Sequence, residues 1–289
     1  MEKIAESELI LNPDGSIYHL KLKSEHIAND IIIVGDQGRV HKVSDNFDNI
    51  EFKIQNREFV THTGTLNGKR ITAMSTGIGT DNIDIVVNEL DAIVNIDLER
   101  RVVREEKTSL NIIRLGTSGA LQEDVPVDSL VMSSHGLGFD GLLNFYDSKE
   151  IMESDLSQAF IEHTDWGTDL STPYIVKASD SLTNLLGDGM IKGITATSPG
   201  FYGPQGRILR LPLAHPAQND KISSFKYGSH RITNYEMETS ALYGLGRMLG
   251  HNTCTVCAII ANRMVKKYSA DYQATVSKMI KIVLERLTA

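Results

Sequence analysis

A short apolar run, a glycine-rich turn and a helical apolar repeat follow one another at Ile71-Thr-Ala-Met-Ser75, Thr76-Gly-Ile-Gly-Thr80 and Ile83 to Val94. The run is too short for a helix and suits a buried strand, whereas Ile83, Val86, Val87, Leu90 and Val94 recur at helical spacing. A strand that passes into a helix through glycines is the building unit of α/β proteins, and in such proteins ligands bind where the strands end. The first half of the unit recurs along the chain. Ile31–Val34 precedes Gly35-Asp-Gln-Gly-Arg39, Asn111–Leu115 precedes Gly116-Thr-Ser-Gly-Ala120, and Ile191–Thr197 precedes a loop rich in Gly and Pro. Ser129–Ser133 and Thr253–Ala261 supply two further strands.

Composition narrows the functions open to such a chain. With 289 residues, 41% of them hydrophobic, one packed core over 1–289 is expected. A formal charge of −8 excludes a broad nucleic-acid surface, which needs clustered Lys and Arg. The acidic N-terminus has no signal-peptide apolar core and no later segment has the length of a membrane span, so a cytosolic protein with no membrane partner is expected. Cys254 and Cys257 spell C-x-x-C inside an apolar strand, where an odd separation turns them to opposite faces and away from redox or zinc chemistry. None of the nine His has H-E-x-x-H spacing, and G-x-S-x-G is missing. Gly136-Leu-Gly-Phe-Asp-Gly141 matches the dinucleotide fingerprint, but no periodic helix follows it.

Other stretches read as scaffold. Phe47 to Arg70 alternates polar and apolar residues around an Asn67-Gly68 hairpin signal, with Arg57 on the outbound arm. The charge-rich segment 95–109 reads as an exposed helix or insertion at a subunit contact. Residues 149–189 read as helix, loop and helix. The last helix carries Tyr272, Val276, Met279, Val283 and Leu287 on one packing stripe.

The polar candidates fall at strand ends. Gly35 and Arg39 suit an anion held by backbone N–H groups and a guanidinium, or an ordinary strand-to-helix turn. Arg114 stands near the end of a core strand, where a charge is costly unless it is paired or faces a site. In the Ser198–Arg207 loop, Phe201 suits stacking on a planar ring, and Gln205 and Arg207 suit hydrogen bonding to its polar edge. Asn234-Tyr-Glu-Met-Glu238 reads as an extended entry to a helix that stops at Gly250, with Thr239 or Ser240 as cap. Its two carboxylates suit either the positive end of a helix or the hydroxyls of a vicinal diol. Arginines with a glycine turn suggest phosphate, carboxylates suggest sugar hydroxyls, and Gln with Arg beside Phe suggests a base.

Gly35-Asp-Gln-Gly-Arg-Val40, Ser75-Thr-Gly-Ile-Gly79, Ile113-Arg-Leu-Gly-Thr-Ser-Gly-Ala120, Phe201-Tyr-Gly-Pro-Gln-Gly-Arg207 and Tyr235-Glu-Met-Glu-Thr-Ser-Ala241 together resemble the nucleoside phosphorylase family, from about His19 to the last helix. The Phe-Tyr-x-x-Gln-x-Arg loop resembles its uridine-specific branch. The resemblance implies a single-domain α/β sandwich with a distorted mixed central sheet or barrel flanked by helices. It implies reversible phosphorolysis of uridine to uracil and ribose 1-phosphate, with 2'-deoxyuridine as a further substrate and a purine nucleoside phosphorylase or a silent nucleoside-binding protein as alternatives. Inorganic phosphate is then co-substrate and no cofactor is needed. By position, Gly35, Arg39, Arg114 and Thr117 bind phosphate, with Arg57 from a neighbouring subunit. Met237 and Glu238 hold the ribose, assisted by Glu236 and the neighbour's counterpart of His19. Phe201, Gln205 and Arg207 hold the base, backed by Arg263, which with Asn262 stands where purine enzymes present Ser-Asp. Arg207, Gln205, Arg114 and Glu238 carry the chemistry. A monovalent cation such as K+ between subunits would use Glu58 and Ser75. Val34-Gly-Asp-Gln37 replaces the family's Pro-Gly-Asp-Pro turn, leaving Gly35 and Arg39 in place. Shared sites imply at least a homodimer, with a hexamer as the larger form.

Overall fold

The computed structural model describes residues 3–289. β1 (Asp30–Val34) is buried along its whole length and leads into α1 (Gln37–Ser44). β2 (Asn49–Asn56), β3 (Phe59–Leu66) and β4 (Lys69–Ser75) form an antiparallel meander. Asn67-Gly68 makes the second of its turns, and Arg57, with φ +52°, makes the first. Arg57 therefore sits in a turn rather than on a hairpin arm. From β4 the chain enters α2 (Thr80–Asn95) through Gly77 and Gly79, both at positive φ, as the strand–glycine–helix pattern requires.

The segment 95–109 is not helical. It holds a two-stranded hairpin, β5 (Ile96–Asp97) with β6 (Val102–Val103), whose Arg101 carbonyl accepts from the Ile4 N–H. Glu99, Arg100, Arg104, Glu105, Glu106 and Lys107 are exposed, while the Arg101 guanidinium donates to the Leu9 carbonyl. β7 (Asn111–Ala120) then runs on through Gly116-Thr-Ser-Gly, where a turn was expected. β8 (Leu130–Gly138) absorbs the first half of the false dinucleotide motif. Between 149 and 189 the chain forms α3 (Ser154–Thr164), β9 (Tyr174–Lys177) and α4 (Asp180–Leu186). The short strand β9, antiparallel to β8, was not visible in a helix–loop–helix reading. The remaining elements are β10 (Ile191–Thr197), α5 (Gln218–Ser224), β11 (Lys226–Tyr227), β12 (His230–Glu236), α6 (Thr239–Leu249), β13 (Asn252–Asn262), β14 (Lys267–Tyr268) and α7 (Tyr272–Leu287).

One mixed sheet carries all strands but β5 and β6. Its centre closes on itself: β7 pairs with β13, β13 with β8, β8 with β10, β10 with β12, and β12 back onto β7. Irregular register at Gly193/Ile194, Ile194/Thr195 and Ile259/Ala261 bends the strands enough for this five-stranded ring to form. β1, β4, β3 and β2 extend from it as an open wing. α6 and α2 pack on one side with Leu90, Leu242 and Tyr243 in a shared core, while α7 and α4 cover the other with Val276, Met279, Val283 and Leu186. The expected mixed barrel flanked by helices is thus present. Cys254 and Cys257 are free, buried and in separate clusters, in keeping with opposite faces. No helix among the described residues is long and apolar enough to cross a membrane.

Candidate active site

Ring closure builds the site. β12 meets β7 antiparallel, with Asn234 opposite Ala120 and Tyr235 opposite Gly119. Continuing past Tyr235 therefore moves back along β7, so Glu236 and Glu238 arrive over Arg114 in the middle of that strand. Arg114 Nη1 lies 3.2 Å from Glu236 Oε2, and Nη2 donates to Glu238 Oε2. All three side chains are buried. Burial alone works against the Arg114 charge, but Glu238 and then Glu236 outweigh it and hold the guanidinium above its ordinary pKa. Gly116 makes room for it: a Cβ there would stand 2.0 Å from Arg114 Nη1.

The two acids divide the two readings between them. Glu236 caps α6: its carboxylate accepts from Glu238 N at 2.9 Å, from Thr239 N at 2.9 and 3.1 Å, and from Thr197 Oγ1 at 2.6 Å. Neither Thr239 nor Ser240 caps the helix; Glu238 occupies that position and its side chain does not cap. With Arg114 added, Glu236 has no lone pair left for a sugar, so its expected help with ribose is not available in this arrangement. Burial raises its pKa and Arg114 opposes the rise. Glu238 is less committed. Its Oε1 accepts from Gly79 N at 2.8 Å, which ties the carboxylate to the turn before α2, and its Oε2 meets only Arg114. Met237, between them, is half-buried.

Beside Arg114 stands a second guanidinium, that of Arg39. Ile33 stands next to Arg114 in the parallel β1–β7 register, so Gly35 follows just beyond it. Arg39, on the first turn of α1, donates to Leu115 O at 3.1 Å. Its pKa is lowered by burial and by the neighbouring Arg114. Two guanidiniums that repel each other in an enclosed place favour an anion between them. Thr117 is half-buried on β7, and its hydroxyl makes no hydrogen bond among the described residues.

A second cluster forms on the loop after β10. Arg207 Nη1 donates to Gln205 Oε1 at 2.6 Å, and its guanidinium lies 3.6 Å over the Phe201 ring. Gln205 is buried, and its main-chain carbonyl accepts from Arg263 Nη1. Arg263 Nη2 is buried without a partner among the described residues. Burial and the nearby Arg263 push the Arg207 pKa down to about 10, which leaves it charged at neutral pH.

His19 and Arg57 lie apart from both clusters in this chain. His19 Nδ1 is 2.6 Å from Glu89 on α2, whose carboxylate also accepts from the His19 and Leu20 N–H groups. Arg57 is exposed, with its guanidinium 5.4 Å from the centre of the Tyr18 ring. Neither touches Arg114 or the carboxylates, so any part in the site requires a second copy. Ser75 Oγ donates to the Glu58 main-chain carbonyl at 2.6 Å and accepts from Val60 N at 2.8 Å, so the two residues expected at a cation are neighbours through the Glu58 backbone.

Sequence reasoning missed Thr197 and the Gly79 N–H, because both act through contacts between distant segments. Two cavities lie elsewhere: one of about 210 Å³ is lined by Asp165, His215 and Lys221, and one of about 380 Å³ by His135, Glu153 and His230. The convergent charges are at Arg114, and neither of these cavities gathers them.

Residues 30–289 match the family model described as the phosphorylase superfamily. A uridine phosphorylase of Thermococcus kodakarensis is 28% identical over 99% of this chain and 93% of its own length. A DeoD-type purine nucleoside phosphorylase of Bacillus cereus is 24% identical over 92% and 97%. The crystal structure of a Trypanosoma brucei nucleoside phosphorylase, described as showing uridine phosphorylase activity, superposes with a TM-score of 0.87 at 32% identity, covering 97% of this chain and 99% of that one. A uridine phosphorylase structure from Phytophthora capsici shares the fold, with a TM-score of 0.71 at 22% identity, covering 100% of this chain and 99% of that one. The chain belongs to the phosphorylase superfamily and is a nucleoside phosphorylase in fold and family.

Proposed function

We propose that this chain catalyses the reversible phosphorolysis of uridine to uracil and ribose 1-phosphate, with 2'-deoxyuridine as a second substrate. The observation that carries the base assignment is the convergence of Arg207 and Arg263 on Gln205 beside Phe201. A phosphate oxygen attacks C1' as the glycosidic C1'–N1 bond breaks, and the bonding pair leaves with uracil. Negative charge therefore develops on the base, where the two guanidiniums and the Gln205 amide stabilise it. The sugar turns oxocarbenium-like, and the phosphate dianion with Glu238 stabilises that charge. No residue forms a covalent bond to substrate. Arg207 lies on the Phe201 ring, so a base that stacks there moves the guanidinium towards its own polar edge. Gly35, Arg39, Arg114 and Thr117 take the phosphate.

In this reading, a neighbouring copy of the chain contributes Arg57 to the phosphate and His19 to the ribose, and a monovalent cation between copies uses Glu58 and Ser75. The resemblance to purine enzymes supports a second reading, inosine phosphorolysis with the same phosphate and ribose residues. Arg263 speaks against it, since a cation stands where those enzymes present an acid. The deciding assay is phosphate-dependent uracil release from uridine, run beside thymidine and inosine. Faster inosine turnover refutes the uridine assignment, release without phosphate indicates a hydrolase, and binding without turnover indicates a silent nucleoside-binding protein.

A further inference from the structure

We propose that Asn219, on the first turn of α5, is the positioning residue that couples the base loop to the ribose strand. The inference rests on the base reading above and adds a residue to it. Asn219 Nδ2 donates to the Gln205 carbonyl at 3.1 Å, and Asn219 Oδ1 accepts from the Tyr235 hydroxyl at 3.2 Å. Its amide thus bridges the residue that faces the base and the residue just before Glu236. The Gln205 carbonyl also accepts from Arg263 Nη1, so both of its lone pairs are held, one from α5 and one from the segment after β13. The loop is shaped to meet Asn219. Gly206 adopts φ +72°, and a Cβ there would stand 2.1 Å from Asn219 Nδ2. The loop's own bonds shape its turn and hold the Gln205 amide to Arg207, whereas Asn219 and Arg263 fix the Gln205 main chain from outside and so set where that turn sits relative to β12.

The test compares Asn219→Ala and Tyr235→Phe with the unaltered enzyme, measuring kcat and KM for uridine and KM for phosphate, with thermal midpoints alongside. Asn219→Ala is expected to lower kcat/KM for uridine about tenfold, as for a lost buried bond that aligns a reacting group. Its phosphate KM should stay within about twofold, because Arg114 and Arg39 are untouched. Tyr235→Phe, which removes one hydroxyl, is expected to move the same parameters by a smaller factor. It carries the test if Asn219→Ala does not fold. A merely structural role predicts something different: kcat falls with the amount of folded enzyme while KM for uridine is unchanged. That pattern, or an equal loss towards phosphate and uridine, overturns the proposal. If the unaltered enzyme uses inosine and not uridine, the base reading fails on its own. The same parameters are then read with inosine, where a raised nucleoside KM at constant phosphate KM keeps the coupling and an unchanged one overturns it.

Discussion

Gly116→Ala is a one-carbon change aimed at the phosphate side of the site. A Cβ at 116 would lie 2.0 Å from Arg114 Nη1 and 2.8 Å from Cζ, whereas ordinary contact begins at 3.4 Å. The guanidinium must retreat by about 1.4 Å, since the β7 backbone is fixed by parallel pairing to both β1 and β13. Such a shift breaks the 3.2 Å contact with Glu236 and pulls Nη2 off Glu238. Misplacement of a positioning group by about 1 Å costs on the order of 10²-fold in rate. The loss should fall on kcat and on phosphate KM, as the Arg114 guanidinium bonds to Glu236 and Glu238 and to nothing in the Gln205 loop among the described residues. Overpacking of a buried position adds about 1–3 kcal/mol of destabilisation, seen as a thermal midpoint lower by a few degrees. Initial rates with phosphate varied at saturating nucleoside, together with a melting curve, measure both effects. A Gly116→Ala enzyme with unaltered phosphate KM and kcat would refute the assignment of Arg114 to phosphate.

Further outcomes follow from the other contacts. Arg207→Ala removes a charged donor from the leaving base and the partner of Gln205 Oε1, so kcat for uridine should fall on the order of 10²-fold or more; near-normal kcat would sink the role. Glu238→Gln keeps an oxygen for the Gly79 N–H but loses the charge-assisted acceptor, and kcat/KM should fall about tenfold or more for uridine and less for 2'-deoxyuridine. Equal losses would show that the 2'-hydroxyl is not its target. Acid should destabilise the protein through two histidines whose pKa values are depressed to about 4, chiefly by burial and then by a neighbouring histidine, His41 for His62 and His230 for His135. Their folded values lie below the ordinary 6.5, so the stabilisation is complete above pH 6.5 and is lost as pH falls from there towards 4. Discounted for partial solvent screening, each contributes about 2 kcal/mol. Melting curves between pH 7.5 and 4.5 should show the loss, and His62→Gln should flatten it; an unchanged slope would exclude His62.

Much of this was legible because local pattern and tertiary role coincide. The run 71–75 followed by glycines and a helical repeat forms β4, its turn and α2 because nothing distant competes with that preference. Arg114 stood out because a charge in an apolar strand demands a partner. The misreadings have physical causes. Gly116 to Gly119 resembled a turn, yet these glycines lie within β7, and Gly116 is small because the Arg114 guanidinium packs against it. β9, four residues after Pro173, is a strand only because β8 offers it an edge. Local sequence could not say which of Glu236 and Glu238 caps α6, since the answer depends on where β12 meets β7.

That division of labour bears on how the two substrates bind. Arg39, Arg114, Glu236 and Glu238 are two cations and two anions, so their charges balance within the chain. Glu236 is fixed by five contacts, whereas the Arg114–Glu238 bond joins the residue proposed for phosphate to the one proposed for ribose. In the proposed reaction, phosphate draws on Arg114 and leaves Glu238 short of a donor, while the ribose hydroxyls supply Glu238 with donors and leave Arg114 free to turn to phosphate. Breaking a buried pair with only one ligand present leaves a charge uncompensated, at a cost of several kcal/mol. With both present, each ligand replaces what the other removes. The Arg114–Glu238 bond therefore favours joint occupancy, which is the state in which C1' lies between attacking phosphate and departing base.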